Sequence, residues 1–243
     1  MPVAIIAGTA MERIPSIDMD VITITTAYGE VALLRGRGEN NDLLFLPRHG
    51  LKHSLPPHKI NYRANIQALV DLGVRYVLAA YAVGSINRQV PPLGLVAVDD
   101  ILDFTGGREA TFFDGGNNGV KHIDMTSPFC PRLREALLEN APRHALTIRS
   151  SGTYVCTNGP RLETPAEIRM FRKLGADVVG MTLVPELILA KERELCSAAV
   201  CFSINWAAGM DEKVEFVQDG LDELHARLMG LFIDTLRGMA KTG

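Results

Sequence analysis

The 243-residue chain carries 25 Lys and Arg against 28 Asp and Glu, a net charge of −3, and is 47% apolar. That much apolar content builds a full core and excludes the disordered class. The lack of a net basic character argues against nucleic acid as a partner, since a phosphate-backbone binder shows a basic face. No uncharged run approaches the ~18 residues of a membrane span. The stretch 1–7 lacks the basic n-region and apolar length of a signal, so a cytoplasmic location and no membrane partner are expected. Cys130, Cys156, Cys196 and Cys201 share no CxxC spacing, which suggests neither a zinc site nor a disulfide framework, and reads as four reduced thiols.

The first apolar run, 3–7, leads into Gly8-Thr9-Ala10, a tight small-residue turn whose N–H groups and Thr9 hydroxyl suit an anion. The turn lacks the third glycine of a dinucleotide fingerprint and the Lys-Ser/Thr of a P-loop, which disfavours NAD and ATP. Strand-like runs follow at 21–25, 31–34 and 43–46. After the last of these come Arg48-His49-Gly50 and then Pro56-Pro57-His58. The Pro pair forbids helix until about Asn61, so Arg48 and His49 fall in a loop at a strand's end, where open α/β sheets bind ligands. Arg offers a planar fork of donors to phosphate or carboxylate, and His exchanges a proton near neutrality.

Apolar residues at three- and four-residue intervals predict helices over 61–72, 131–140, 164–174, 186–194 and 217–239. Further strands are predicted at 76–80, 94–98, 151–156, 178–181 and 198–204. Strands separated by helices imply βαβ units and a largely parallel sheet. Thr164-Pro165-Ala166-Glu167 is a helix start, with Thr as N-cap, Pro at the first position and Glu placed for a capping box. The glycine-rich piece 106–120 has no period and reads as a long surface loop, a length that belongs to a site or an interface. With no repeat, low-complexity tract or linker, one domain over 1–243 is expected.

Taken singly, each strand end has an ordinary loop explanation. Taken together, Gly8-Thr9, Arg48-His49, the small residues 79–85, Glu163 and Gly180-Met181-Thr182 put polar groups at the ends of several strands, the pattern of one shared site.

These segments carry a resemblance. AIIAGTA from Ala4, RHG from Arg48, NYRAN from Asn61, AVGS from Ala82, FFDG from Phe112, GPRLETPAE from Gly159 and GMTLVPELILAKE from Gly180 occur end to end. In this order and spacing they resemble the trimeric purine nucleoside and methylthioadenosine phosphorylases, most of all the branch acting on methylthioinosine. The resemblance implies a phosphorylase/hydrolase-like fold: a central, mostly parallel or mixed twisted sheet flanked by helices. It implies no metal or organic cofactor, with phosphate and a nucleoside as small-molecule partners. It also implies a homotrimer, alone or doubled into a dimer of trimers. Thr9, Arg48, His49, Tyr81, Ala82 and Thr182 would hold phosphate, Ala82 through its backbone. Met181, Ala207, Val217 and, from a neighbouring subunit, His122 would contact the nucleoside. Glu163, Asn205 and His49 would be catalytic.

Two positions bear on the base. Asn205 stands where adenine-specific relatives keep Asp, and Glu163 where they keep Ser. A carboxamide donates to a 6-oxo group, and a carboxylate accepts from the N1–H that hypoxanthine and guanine carry and adenine lacks. Val217, in place of the His that bonds a ribose 5′-hydroxyl, suits a methylthio group. The expected reaction is phosphorolysis of S-methyl-5′-thioinosine to hypoxanthine and 5-methylthioribose 1-phosphate. The alternatives are a broader 6-oxopurine nucleoside phosphorylase, a methylthioadenosine phosphorylase, or, from another class, a non-catalytic nucleoside-binding protein. Two departures stand out: Ala10 replaces a usual glycine, and Tyr81 stands where relatives have Thr or Asn.

Overall fold

A computed structural model describes residues 1–8, 11, 14 and 16–242, the last by its backbone alone; the expectations placed on Thr9 and Ala10 lie outside the described residues. The centre of the sheet is made of strands whose side chains are apolar on both faces. β1 (Val3–Ala7) and, after the antiparallel hairpin β2 (Met19–Thr26) and β3 (Gly29–Gly36), β4 (Leu43–Pro47) are buried at every position. Strands of this kind need cover on both sides, as in parallel sheets. β1 lies between β4 and β5 (Tyr76–Ser85), parallel to both. The hairpin forms the antiparallel edge through β3 and β4.

β5 also pairs in parallel with the long strand β11 (Cys196–Trp206) and antiparallel with β10 (Val178–Gly180). β9 (Thr153–Thr157) continues the order from β10, and β7 (Asp100–Phe104) closes that edge. Two short strands, β6 (Leu95–Ala97) and β8 (Ile148–Arg149), extend from β11. The result is a mixed sheet in an α/β fold, with parallel pairing at its centre.

Helices cover both faces. α1 (Tyr62–Asp71) and α4 (Leu183–Glu192) pack in one apolar cluster, and α2 (Pro131–Asn140) and α5 (Leu221–Thr242) in another. α3 (Pro165–Lys173) buries Ile168 and Phe171 in a third. The start of α3 forms the expected capping box, with the Glu167 carboxylate accepting from Thr164 N at 2.7 Å.

The differences from expectation have local causes. β5 runs to Ser85 because β10 and β11 supply ladder partners for its small residues up to that position. β7 reads Asp-Ile-Leu-Asp-Phe and is largely exposed, so its polar sequence gave no strand signal; pairing with β9 makes it one. α4 begins at Leu183, before the predicted Glu186, although Val184 departs from helical angles at φ −105°, ψ 130°. α5 begins at Leu221, immediately after Gly220 at φ +84°.

The reading of four reduced thiols is corrected for two of them. Cys130, at the N-cap of α2, and Cys196, at the start of β11, form a disulfide, while Cys156 and Cys201 are free and buried. The spacing rule misses the pair because its members, at a sequence separation of 66, are brought together only by the fold. Loop-closure entropy for a cross-link of this span corresponds to about 4 kcal/mol. Reductant is therefore expected to lower the denaturant midpoint of the wild type and to leave that of Cys130→Ser unchanged. Four titratable thiols in the unreduced, denatured protein would contradict the pairing. No helix is long and apolar enough to cross a membrane among the described residues.

Candidate functional site

β4 ends where β1 ends, and the Arg48 N–H donates to the Ala7 carbonyl at 2.9 Å, so Arg48 continues the parallel ladder one residue past the strand. This places its side chain at the sheet's carboxyl edge, 2% exposed. There it is almost fully bonded. Nε and Nη2 donate to the two oxygens of Glu186 at 3.1 and 2.9 Å, and Nη1 donates to the Ala80 carbonyl at 2.8 Å. Two of its five N–H groups remain for a ligand. Burial alone would disfavour the guanidinium's charge, but Glu186 outweighs it and holds the pKa above the ordinary value.

Glu186 was not anticipated. The only available signal was an acidic residue within the apolar run of GMTLVPELILAKE, since a carboxylate on a buried helix face demands a partner. It also accepts the Tyr81 hydroxyl at 2.6 Å, and the Arg48 guanidinium carbon lies 4.2 Å from the Tyr81 ring centre. The expected phosphate contact of Tyr81 is thus corrected: its hydroxyl is engaged by Glu186, and the residue backs Arg48 instead of lining the cavity.

His49 Nδ1 lies 2.8 Å from the Leu55 carbonyl, and its ring stacks on His53 at 4.5 Å. A carbonyl only accepts, so Nδ1 carries the proton. Burial pushes the imidazole down to about 4, with Arg48 and His53 adding to the effect. At neutral pH His49 is therefore an uncharged ring whose Nε2 is an acceptor.

Gly8 completes this corner. A Cβ built there would lie 2.9 Å from Arg48 Nη1 and 3.1 Å from His49 Nε2, so only glycine leaves both atoms approachable. Gly8→Ala is expected to raise the KM for phosphate at least about tenfold, because the methyl group occupies ligand space and displaces the Arg fork. Steady-state kinetics at varied phosphate checks this; an unchanged KM would put the anion elsewhere.

Arg48 and His49 form one end of a cavity of about 150 Å³, roughly ten times the space one water needs. Ala82, Met181 and Thr182 line it next to them. Thr182 occupies the N-cap position of α4 but makes no side-chain capping bond, so its hydroxyl is not committed to the helix. The Met181 side chain lies over Gly159, where a Cβ would come within 2.4 Å of its sulfur. Gly159 has φ +59°, which itself favours glycine.

Glu163 and Asn205, 9% and 4% exposed, also line the cavity. Glu163 precedes α3, and its Oε1 accepts from the Thr157 hydroxyl at 2.7 Å, leaving Oε2 for a ligand. Asn205 sits where the pairing of β11 with β5 shifts register between Ser203 and Asn205. Such an irregularity re-aims a side chain. Asn205 Nδ2 donates to the Trp206 carbonyl at 2.8 Å and keeps a second N–H and its oxygen available. Ala207 also lines the cavity.

Arg48, His49, Ala82, Glu163, Met181, Thr182, Asn205 and Ala207 therefore meet in one cavity. Val217 does not line it, and His122 was expected to act from a neighbouring subunit. Val217 uses its N–H on the Ile204 carbonyl at 2.8 Å, and the apolar lining from this segment comes from Val214 and Phe216. The segment has no helical period to locate its inward positions, because α5 starts later than predicted. His122 is exposed, in a stretch without regular structure, and does not line the cavity of its own chain. No group of three His, Cys, Asp or Glu able to hold a metal ion occurs among the described residues.

Comparison with known proteins matches this geometry to a family. Residues 2–237 fit the model of the Phosphorylase superfamily. The chain is 48% identical over 216 residues to a 6-oxopurine nucleoside phosphorylase of Pyrococcus furiosus, covering 87% of this chain and 82% of that protein. It is 44% identical over 233 residues to a probable S-methyl-5′-thioinosine phosphorylase of Methanopyrus kandleri, covering 94% and 89%. A solved methylthioadenosine phosphorylase of Schistosoma mansoni in complex with tubercidin superposes with a TM-score of 0.90 at 29% identity, covering 99% of this chain and 92% of that one. With the fold, the cavity and these relatives in agreement, the chain belongs to the phosphorylase superfamily, as a nucleoside phosphorylase of the pentosyltransferase class.

Proposed function

We propose that the chain cleaves 6-oxopurine nucleosides with phosphate, and that its substrate is S-methyl-5′-thioinosine, released as hypoxanthine and 5-methylthioribose 1-phosphate. The single observation that carries the reading is that the buried Glu163 and Asn205 line the same cavity as Arg48 and His49.

Phosphate sits between Arg48, His49, Thr182 and the Ala82 backbone. The two spare N–H groups of Arg48 and the Thr182 hydroxyl donate to its oxygens. Because Glu186 already offsets the Arg48 charge, the phosphate keeps most of its own negative charge for the sugar. His49 Nε2 accepts the proton of monohydrogen phosphate, which turns an unprotonated oxygen toward C1′. As the bond from C1′ to N9 breaks, positive charge grows on the sugar and negative charge on the purine. The phosphate lies beside the first, and Asn205 meets the second, its spare N–H donating to O6. Glu163 Oε2 accepts from N1–H. The Met181 N–H reaches a ribose hydroxyl. Holding both reactants in line contributes much of the rate in such a reaction.

The apolar side chains of Val214 and Phe216 support a methylthio group over a hydroxyl at the 5′ position, since a thioether needs burial and no donor. A second reading, a broader enzyme acting on inosine and guanosine, is favoured by the name of the Pyrococcus relative. Base release from methylthioinosine, inosine, guanosine and methylthioadenosine, each with and without phosphate, separates the readings. The expected result is phosphate-dependent release fastest from methylthioinosine. Faster inosine cleavage selects the broader enzyme, dominant methylthioadenosine cleavage removes the base argument, and binding without base release leaves only a sensor.

A further inference from the structure

The long loop 106–120 lines no part of the cavity, yet it is tied down at several points. The buried carboxylate of Glu192 on α4 accepts from Thr111 Oγ1 at 2.6 Å and from Phe112 N at 2.7 Å. Arg63 on α1 pairs with Glu109 at 2.7 Å and with Asp114 at 2.9 Å. At the start of the loop, Gly106 exchanges two hydrogen bonds with the Asn158 side chain, at 3.1 and 3.0 Å.

These anchors aim one side chain, Arg108, inward. Its Nη1 donates to the Val184 carbonyl at 2.5 Å, and its Nη2 to the carbonyls of Asn158 and Thr157 at 3.1 and 3.3 Å. The guanidinium carbon lies 5.5 Å from the Tyr62 ring centre. The three carbonyls belong to two segments behind the cavity: Val184, just past the lining residue Thr182, and Thr157–Asn158, which leads to the lining residue Glu163. Val184 is two residues past Thr182, and its non-helical angles take its carbonyl out of the regular helix ladder. Thr157 is the residue whose hydroxyl holds Glu163. A planar guanidinium spans carbonyls on diverging segments; an ammonium is a compact point charge and cannot hold them all in the same way.

We infer that Arg108 is a positioning residue for the reaction, a staple between the Thr157–Asn158 segment and Val184 that sets the distance from the base-reading carboxylate to the phosphate-binding hydroxyl. The inference rests on the proposed function, because it assigns Glu163 to the base and Thr182 to phosphate. Arg108 touches neither reactant. With the staple gone, β9 and β10 stay paired, but the Thr157–Asn158 segment beyond that pairing loosens against Val184, and the sugar no longer meets phosphate and base contacts at once.

The test uses wild type, Arg108→Met, which keeps the stem over Tyr62, and Arg108→Lys, which keeps the charge. Phosphate KM, kcat/KM for methylthioinosine and inosine, and the ratio of inosine to adenosine cleavage are measured for each. A displacement of about 1 Å costs on the order of a hundredfold. Both variants are therefore expected to lose about that much in kcat/KM, with a raised phosphate KM and a base ratio reduced about tenfold. A merely structural role lowers the active fraction and leaves KM and the ratio untouched, so these two readouts hold even for a partly folded preparation. If Arg108→Met yields no folded protein, Arg108→Lys decides alone. Phosphate KM and base ratio within about twofold of wild type in the folded variants overturn the inference. Failure of the wild type to release base with phosphate overturns the functional reading instead.

Discussion

Exchanging Glu163 for Gln is expected to lower kcat/KM for methylthioinosine and inosine by about tenfold to a hundredfold. Gln preserves the oxygen that accepts from Thr157 but presents an amide N–H to the base N1–H, leaving two buried donors face to face, a loss of about 1–3 kcal/mol. The same amide donates to the lone pair on adenine N1, so adenosine and methylthioadenosine should gain relative to their 6-oxo counterparts. Asn205→Asp pushes the same way, because a carboxylate accepts from a 6-amino group and repels a 6-oxo oxygen. Glu163→Gln/Asn205→Asp is therefore expected to reverse base preference while retaining phosphate dependence. The measurement is the ratio of kcat/KM values across the nucleoside panel, in which active fraction cancels. A ratio that stays within about twofold of wild type would remove Glu163 from base recognition.

The second large effect concerns Glu186. It is 2% exposed, its two oxygens take two donors of Arg48 and the hydroxyl of Tyr81, and among the described residues no other carboxylate pairs with Arg48 if this one is lost. Glu186→Leu is expected to destabilise the fold by about 3–5 kcal/mol, the cost of leaving a buried charge unpaired. Removing both charges in Arg48→Met/Glu186→Leu should recover most of that stability, since replacing a buried pair by apolar residues is often close to neutral. Phosphorolysis should be lost in both proteins, because Arg48 is misplaced in one and missing in the other. Denaturant unfolding with parallel assays separates the two quantities. Equal destabilisation in the single and double variants would show that packing, and not the unpaired guanidinium, sets the cost. The pair also accounts for Tyr81: its ring covers the guanidinium and its hydroxyl satisfies Glu186, so it supports Arg48 from behind.

How far the sequence reached differs between the parts of the site. Residues following a strand that is apolar at every position were legible, because such a strand has one direction and one exit: Arg48 and His49 after β4, Met181 and Thr182 after β10. Asn205 was legible as a position, but not the register shift that aims it. Val217 was misplaced in favour of Val214 and Phe216 because an aperiodic segment carries no face information. Arg108 and Glu186 were missed for a common reason: both act through partners remote in sequence. Arg108 reaches carbonyls 49 to 76 residues away, and Glu186 a guanidinium 138 residues away.

The linear order of residues alone determined the α/β class, the strands of the sheet's centre, the helix start at Thr164 and which strand ends supply polar residues to the cavity. Each of these follows from periodicity or from turn chemistry within a few residues, and local physics is written locally. Only the tertiary structure decided that Cys130 meets Cys196, that Tyr81 faces Glu186, and that Arg108 bridges the carbonyls of Val184 and Asn158. Those contacts depend on the order in which strands join the sheet, and pairing between distant segments is set by burial of the whole core, which no short window of sequence contains.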